Sequence, residues 1–178
     1  MMKKILLIVG VLAVIVVAGV LIAAANKPDT FRVQRATSIK APPEKIAAAL
    51  TDFRGWGAWS PWEKLDPAMK RSYSGAEKGK GAVYAWEGNS SVGVGRMEIT
   101  DVSPSRVALD LDFVKPFPAH NKVEFALEGK GDTTRVTWTM QGPVPYVAKI
   151  VHVVFDMDGM VGGQFETGLG NLKAISEK

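Results

Sequence analysis

The chain has 178 residues, 47% of them hydrophobic, a formal net charge of +4 and no cysteine. The missing cysteines exclude disulfides, thiolate metal sites and a cysteine nucleophile. The basic charge is weak and scattered, which argues against a nucleic-acid partner, because such a partner selects a basic stripe.

Met1-Met2-Lys3-Lys4 is followed by Ile5 through Ala25 without one charge. A run longer than about 18 apolar residues has the length of a membrane span. A secretory signal shares this charge order but carries an apolar stretch of only about 7–15 residues. Ala23-Ala24-Ala25 is compatible with cleavage, so both readings stand. The length of the run favours an uncleaved single-pass anchor over residues 1–26, in contact with the membrane through residues 5–25. A buried core helix is a poor alternative, since a small domain cannot cover a helix that is apolar all round. Lys3 and Lys4 favour a cytoplasmic N-terminus, whereas Lys27, Arg32, Arg35 and Lys40 pull the other way. A signal anchor with its N-terminus inside puts the following domain on the extracytoplasmic side.

Residues 27–30 read as a polar linker and residues 31–178 as one domain, a size that supports a single core. Residues 31–39 alternate like a strand and are stopped by Lys40-Ala41-Pro42-Pro43-Glu44. Proline suits a helix start, where its missing N–H is an orphan anyway. Lys45-Ile46-Ala47-Ala48-Ala49-Leu50 has high helix propensity. Thr51 or Asp52 then caps a second short helix that runs into Trp56, Trp59 and Trp62.

Between residues 69 and 142 the period becomes two. Tyr84 and Trp86 share a face; Val107, Leu109, Leu111 and Phe113 share another; so do Val123, Phe125 and Leu127, and Val136, Trp138 and Met140. Antiparallel strands with one buried and one wet face show this alternation. Turn residues such as Ser103-Pro104-Ser105 and Gly129-Lys130-Gly131-Asp132 separate about six strands in a meander. Ser90-Ser91-Val92-Gly93-Val94-Gly95 lacks the Lys-Ser/Thr and the helix of a phosphate loop. It reads as a strand with a bulge or a close backbone approach.

Gly142-Pro143-Val144-Pro145 ends the sheet, and from Tyr146 the period returns to 3.6. Val147, Ile150, Val151, Val154, Val161, Phe165, Leu169, Leu172 and Ile175 predict one long amphipathic helix as the cover of the sheet, weakest at Asp158-Gly159 and Gly162-Gly163.

The order strand, two short helices, six strands, long helix resembles the polyketide cyclase/dehydrase branch of the START-like (SRPBCC) superfamily. Pro42-Pro43-Glu44-Lys45 and Trp56-x-x-Trp59-Ser60-Pro61-Trp62 carry the more specific part of the likeness. The resemblance covers about residues 30–177. It implies an α+β, Bet v 1-like helix-grip fold: a curved antiparallel sheet of about seven strands wrapped around a long C-terminal helix, here preceded by one transmembrane helix. It also implies a deep apolar cavity for a lipid, sterol-like or polyketide-like molecule. Some relatives are cyclases or hydrolases. No polar cavity residue of those enzymes matches a position here, so no catalytic residue carries over and the catalytic set is unknown.

Trp56, Trp59, Tyr84, Trp86, Phe113, Trp138 and Phe155 are the ligand-cavity candidates, each also readable as ordinary core. Met140, Met157 and Met160 are adaptable fillers. His120 and His152 are the only histidines and lack ligand spacing, so neither a metal site nor a cofactor is expected. His152 and Asp156 have the spacing of a helix-surface ion pair. Asp156 and Asp158 either flank an opening or are simply solvated, while Asp110 and Asp112 face water. Three functions fit: a binding module for an apolar molecule, an enzyme using Arg35, His120 or Asp158 on such a molecule, or a scaffold with a filled pocket. The missing catalytic motif favours binding over catalysis, and nothing in the sequence sets an oligomeric state.

Overall fold

The computed structural model describes residues 2–178. In chain order the elements are α1 (Met2–Ala25), β1 (Thr30–Ile39), α2 (Pro43–Thr51), a 3-10 helix (Phe53–Ala58), α3 (Trp62–Leu65), β2 (Lys70–Gly75), β3 (Ala82–Glu87), β4 (Val94–Ser103), β5 (Arg106–Lys115), β6 (Ala119–Lys130), β7 (Thr133–Pro143), α4 (Tyr146–Val154) and α5 (Met157–Ser176). They form two compact units: residues 2–31 with Pro143–Met157, and Arg32–Gly142 with Asp158–Lys178.

In the smaller unit, Lys4–Ala25 of α1 is long and apolar enough to cross a membrane, and its most apolar stretch is uncovered by the protein, burial being confined to Ala24 at its end. Two hydrogen bonds tie the chain after α4 begins to the chain around the end of α1. Tyr146 Oη donates to Leu21 O at 2.9 Å, and Lys149 Nζ reaches Asp29 Oδ1 at 2.5 Å.

The larger unit is built on one sheet of order β1-β7-β6-β5-β4-β3-β2. Every adjacent pair from β2 to β7 is antiparallel, as expected of a meander. Register places Val107 opposite Phe125 and Phe125 opposite Trp138, so one face collects the apolar side chains. Val107, Leu109, Phe125, Val136 and Trp138 are buried there, together with Phe165, Leu169 and Leu172 of α5. This is the α+β helix-grip architecture.

The other face is a charge ladder. Arg106 Nε donates to Glu124 Oε2 at 2.6 Å, Lys122 Nζ to Asp110 Oδ1 at 2.6 Å, and Asp112 Oδ1 lies 2.5 Å from His120 Nδ1. A groove of about 440 Å³ crosses this face between Arg32, Arg106, Lys122 and Thr139. Its Arg106 and Lys122 are paired with Glu124 and Asp110, and Arg32 donates to Gln34, which is the pattern of a solvated surface.

Two expectations need correction. Residues 89–92 form a turn, and the strand starts only at Val94. The close approach is real: a Cβ on Gly95 would stand 2.6 Å from the Trp86 ring, and Gly93 adopts φ +67°, which favours glycine. A register shift falls between Val94 and Gly95. The C-terminal helix, second, is two helices, broken at Phe155-Asp156 rather than at the glycines. Phe155 is extended, with φ −111° and ψ 133°. Val151, Val153 and Val154 precede the break, and β-branched residues are weak helix formers. Asp156 lies in the break, outside α4, so the helical spacing expected between His152 and Asp156 does not hold. These glycines lie within α5, and Gly162 is a point of tight packing against Arg35, whereas nothing lies within 4 Å of a Cβ on Gly163. The expected stripe divides accordingly: Phe165, Leu169 and Leu172 are buried, but Val147, Val151 and Val154 are exposed.

Candidate ligand site

The Trp-rich segment reaches the interior through short-range capping. Asp52 Oδ1 accepts from Arg54 N at 3.0 Å and starts the 3-10 helix. That tight helix turns Phe53 and Trp56 inward, and Trp59 follows at its C-cap. Trp56 is 3% exposed and Trp59 1% exposed, while Trp62, on α3, is half-buried.

Across the sheet the rings form an unbroken row. Phe113 meets Trp86 at 5.8 Å, Trp86 meets Tyr84 at 5.8 Å, and Tyr84 meets Phe53 at 5.7 Å. Phe53 continues to Trp56 at 5.0 Å, Trp56 to Trp59 at 4.7 Å, and Trp59 to Trp138 at 5.6 Å. Trp138 is the hub. It stacks on Phe165 of α5 at 4.1 Å and 5°, leans on Phe125 at 4.8 Å, and takes the edge of Trp62 at 5.7 Å. Aromatic pairs in such geometries add about 0.5–1.5 kcal/mol each beyond area burial.

Six of the seven candidates thus come together: Trp56, Trp59, Tyr84, Trp86, Phe113 and Trp138. Phe155 does not join them. It closes α4 in the other compact unit, with 55% of its surface exposed. Met160, expected to be a filler, is 61% exposed, because it sits on the wet side of α5.

The polar atoms of this interior separate into two classes. Trp56 Nε1 donates to Leu50 O at 3.1 Å and Trp86 Nε1 to Val92 O at 3.0 Å. Trp59 Nε1 and Trp138 Nε1 are buried without an acceptor among the described residues. A buried donor left unpaired costs about 1–3 kcal/mol. These two indoles belong to neighbouring rings, so both orphan donors lie in one part of the interior.

Of two ionic clusters, the first touches the row through Tyr84 and the second joins β1 to α5. In the first, Glu63 Oε1 accepts from Tyr84 Oη at 2.6 Å, and Glu63 Oε2 accepts from Arg71 Nε at 2.7 Å. Burial first, and then the Glu63 carboxylate, push the Tyr84 phenol far above its ordinary range. In the second, Arg35 on β1 clasps α5. Its Nε donates to Glu166 Oε1 at 2.8 Å and its Nη2 to Asp158 Oδ2 at 2.9 Å. The hydrogen bond and charge of Arg35 hold the Asp158 carboxyl below its ordinary value of 3.8. Gly162 permits the clasp, since a Cβ there would stand 2.0 Å from Arg35 Nη2.

Of the enzyme candidates, Arg35 and Asp158 are therefore spent on each other, and His120 lies on the outer face. Sequence reading missed Glu63, Arg71, Phe53 and Phe165. Only Phe165 left a signal, its place on the apolar stripe of the last helix.

A family model described as "Polyketide cyclase / dehydrase and lipid transport" matches residues 30–177. No curated protein matches the chain. Solved structures resemble it in fold alone. A hypothetical protein of Helicobacter pylori is 14% identical, with a TM-score of 0.62, covering 85% of this chain and 90% of its own. The Aha1 dimer of Colwellia psychrerythraea is 21% identical, with a TM-score of 0.58, covering 83% of this chain and 96% of its own. CalU16 of Micromonospora echinospora is 17% identical, with a TM-score of 0.53, covering 82% of this chain and 81% of its own.

Proposed function

The chain belongs to the polyketide cyclase/dehydrase and lipid transport family, and we propose that it is a membrane-anchored, non-catalytic binder of an apolar small molecule carrying a hydrogen-bond acceptor. Residues 1–26 are the anchor, 27–30 the linker and 31–178 the binding domain, on the extracytoplasmic side. The ligand is lipid-like, sterol-like or polyketide-like, and its carbonyl or hydroxyl oxygen accepts from Trp59 Nε1 and Trp138 Nε1.

One observation carries this reading: two neighbouring buried indole N–H groups with no acceptor, set in an aromatic interior. A core built only for stability would pair them or replace them with phenylalanine. Trp138 and Phe165 are stacked and buried, so in this reading a ligand reaches the Trp138 indole by displacing Phe165. Moving Phe165 forfeits about 1 kcal/mol of stacking and about 1.5–3 kcal/mol of its own burial. Roughly 100–160 Å² of apolar ligand surface, at about 25 cal/mol per Å², matches that cost. A lipid chain buries more than that, so ligand burial wins.

The same stack supports a second reading, in which the side chains fill the site for good and the domain is a scaffold. Native mass spectrometry of the full chain, released from gentle detergent after exposure to a membrane lipid extract, separates the two. A reproducible added mass that disappears in a Trp59→Phe, Trp138→Phe double variant supports binding at the indoles. A clean mass for the folded wild-type chain refutes it and leaves the scaffold.

A further inference from the structure

The apolar stripe of α4 is turned outward. Val147, Val151 and Val154 recur at i, i+4 and i+7 and are 73%, 42% and 69% exposed; Phe155 continues the stripe. The opposite side of the helix carries Lys149, buried and paired with Asp29. A helix in water does the reverse, with its apolar side inward and its charge outward. Scattered apolar side chains need no explanation, but a contiguous stripe marks an interaction surface.

The chemistry of what covers it follows from the neighbouring helix. α1 leaves its own side chains uncovered, for example Val14 at 69% and Val17 at 58% exposed. α4 is tied to the end of that helix by the Tyr146–Leu21 hydrogen bond. Leu21 lies four residues before Ala25, about 6 Å along the axis at 1.5 Å per residue. Helices lying in a membrane interface bury their apolar side by roughly 5–10 Å. The bond therefore sets the start of α4 at the depth such a helix takes. Lys27 stands two residues after α1, where a long cationic side chain reaches the headgroup region.

We propose that α4 and Phe155 form an interfacial segment lying in the headgroup–acyl boundary of the bilayer that α1 enters, contacting lipid through Val147, Val151, Val154 and Phe155. The inference rests on α1 being an anchor.

The chain has no cysteine, so single cysteines take a spin label without other changes. The full chain with Val147→Cys, Val151→Cys or Val154→Cys is placed in phosphatidylcholine–phosphatidylglycerol vesicles. Val14→Cys serves as the lipid reference and Glu128→Cys as the aqueous one. Each label is tested for collision with oxygen, which concentrates in lipid, and with a water-soluble nickel chelate. The three α4 labels are expected to favour oxygen, at a depth of roughly 5–10 Å, with Glu128→Cys favouring nickel. Nickel preference on α4 with oxygen preference at Val14→Cys overturns the inference and leaves the anchor standing. Nickel preference at Val14→Cys as well overturns both. Labels shielded from both reagents and broadened by spin–spin coupling would mean that a second copy covers the stripe, which also overturns it.

Discussion

Replacing Gly168 with alanine tests whether α5 is seated directly on the Trp138 ring. A Cβ at residue 168 would stand 2.8 Å from Trp138 Cζ3 and 3.1 Å from Pro61 Cδ. The ring cannot retreat, being stacked on Phe165 and backed by Phe125, Trp59 and Trp62. Overpacking of this kind costs about 1–3 kcal/mol. Alanine also gains up to about 1 kcal/mol over glycine in a helix, so Gly168→Ala alone gives an ambiguous sum. Gly170 and Gly163 lie on the same helix with nothing within 4 Å of the added carbon. Their alanine variants report the propensity gain by itself. The difference between Gly168→Ala and Gly170→Ala is then the packing cost, about 1–3 kcal/mol, or about 2–12 °C in Tm for a chain of this size. Thermal unfolding of the full chain in detergent, followed by near-ultraviolet circular dichroism, reads it. If Gly168→Ala were as stabilising as Gly170→Ala, the contact between α5 and Trp138 would be refuted.

Tyr84→Phe removes a hydrogen bond to a carboxylate and is expected to destabilise by about 1.5–3 kcal/mol in urea unfolding; no loss would show that Glu63 is held by Arg71 alone. Gly162→Ala drives a carbon into the Arg35 guanidinium and is expected to raise hydrogen exchange in the first turns of α5 while sparing the sheet. His152 is held below its ordinary 6.5, by burial first and the Lys27 charge second. The unfolded chain therefore takes up that proton first, so stability falls as pH drops below 6.5 toward the folded value. His152→Gln is expected to flatten that part of the stability–pH curve, and an unchanged curve would remove His152 as its source.

The architecture was legible because alternation survives wherever one sheet face is wet. Val107 to Phe113 and Val123 to Leu127 carry that pattern in their own spelling, and the Pro42-Pro43 entry marks the first helix. The division of the last helix was not legible. The apolar period runs through Val154 into Val161 without a flaw, and periodicity does not say which solvent a stripe meets. A stripe made for lipid is spelled like one made for a core, so the exposure of Val147 and Val151 had to come from the fold. In the site, the aromatic residues announced themselves by type. Glu63, Arg71 and the orphan state of the Trp59 and Trp138 indoles depend on which carbonyl or carboxylate arrives from a distant strand, and no local spacing encodes that.

The sheet order sets a schedule for synthesis. β1 ends at Ile39, and its neighbour β7 begins at Thr133. At roughly 5–20 residues per second, the ribosome takes about 5–20 s to cover the intervening stretch of nearly a hundred residues. Throughout that interval β1 has no strand to pair with, although it is among the first parts of the domain to emerge. Unpaired edges invite other chains. Arg32 and Arg35 interrupt its apolar residues, and charges at such positions act as gatekeepers against aggregation. Arg35 thus has two consecutive duties in the life of the chain: it keeps the waiting strand apart from its neighbours, and it fastens α5 once the last residues arrive.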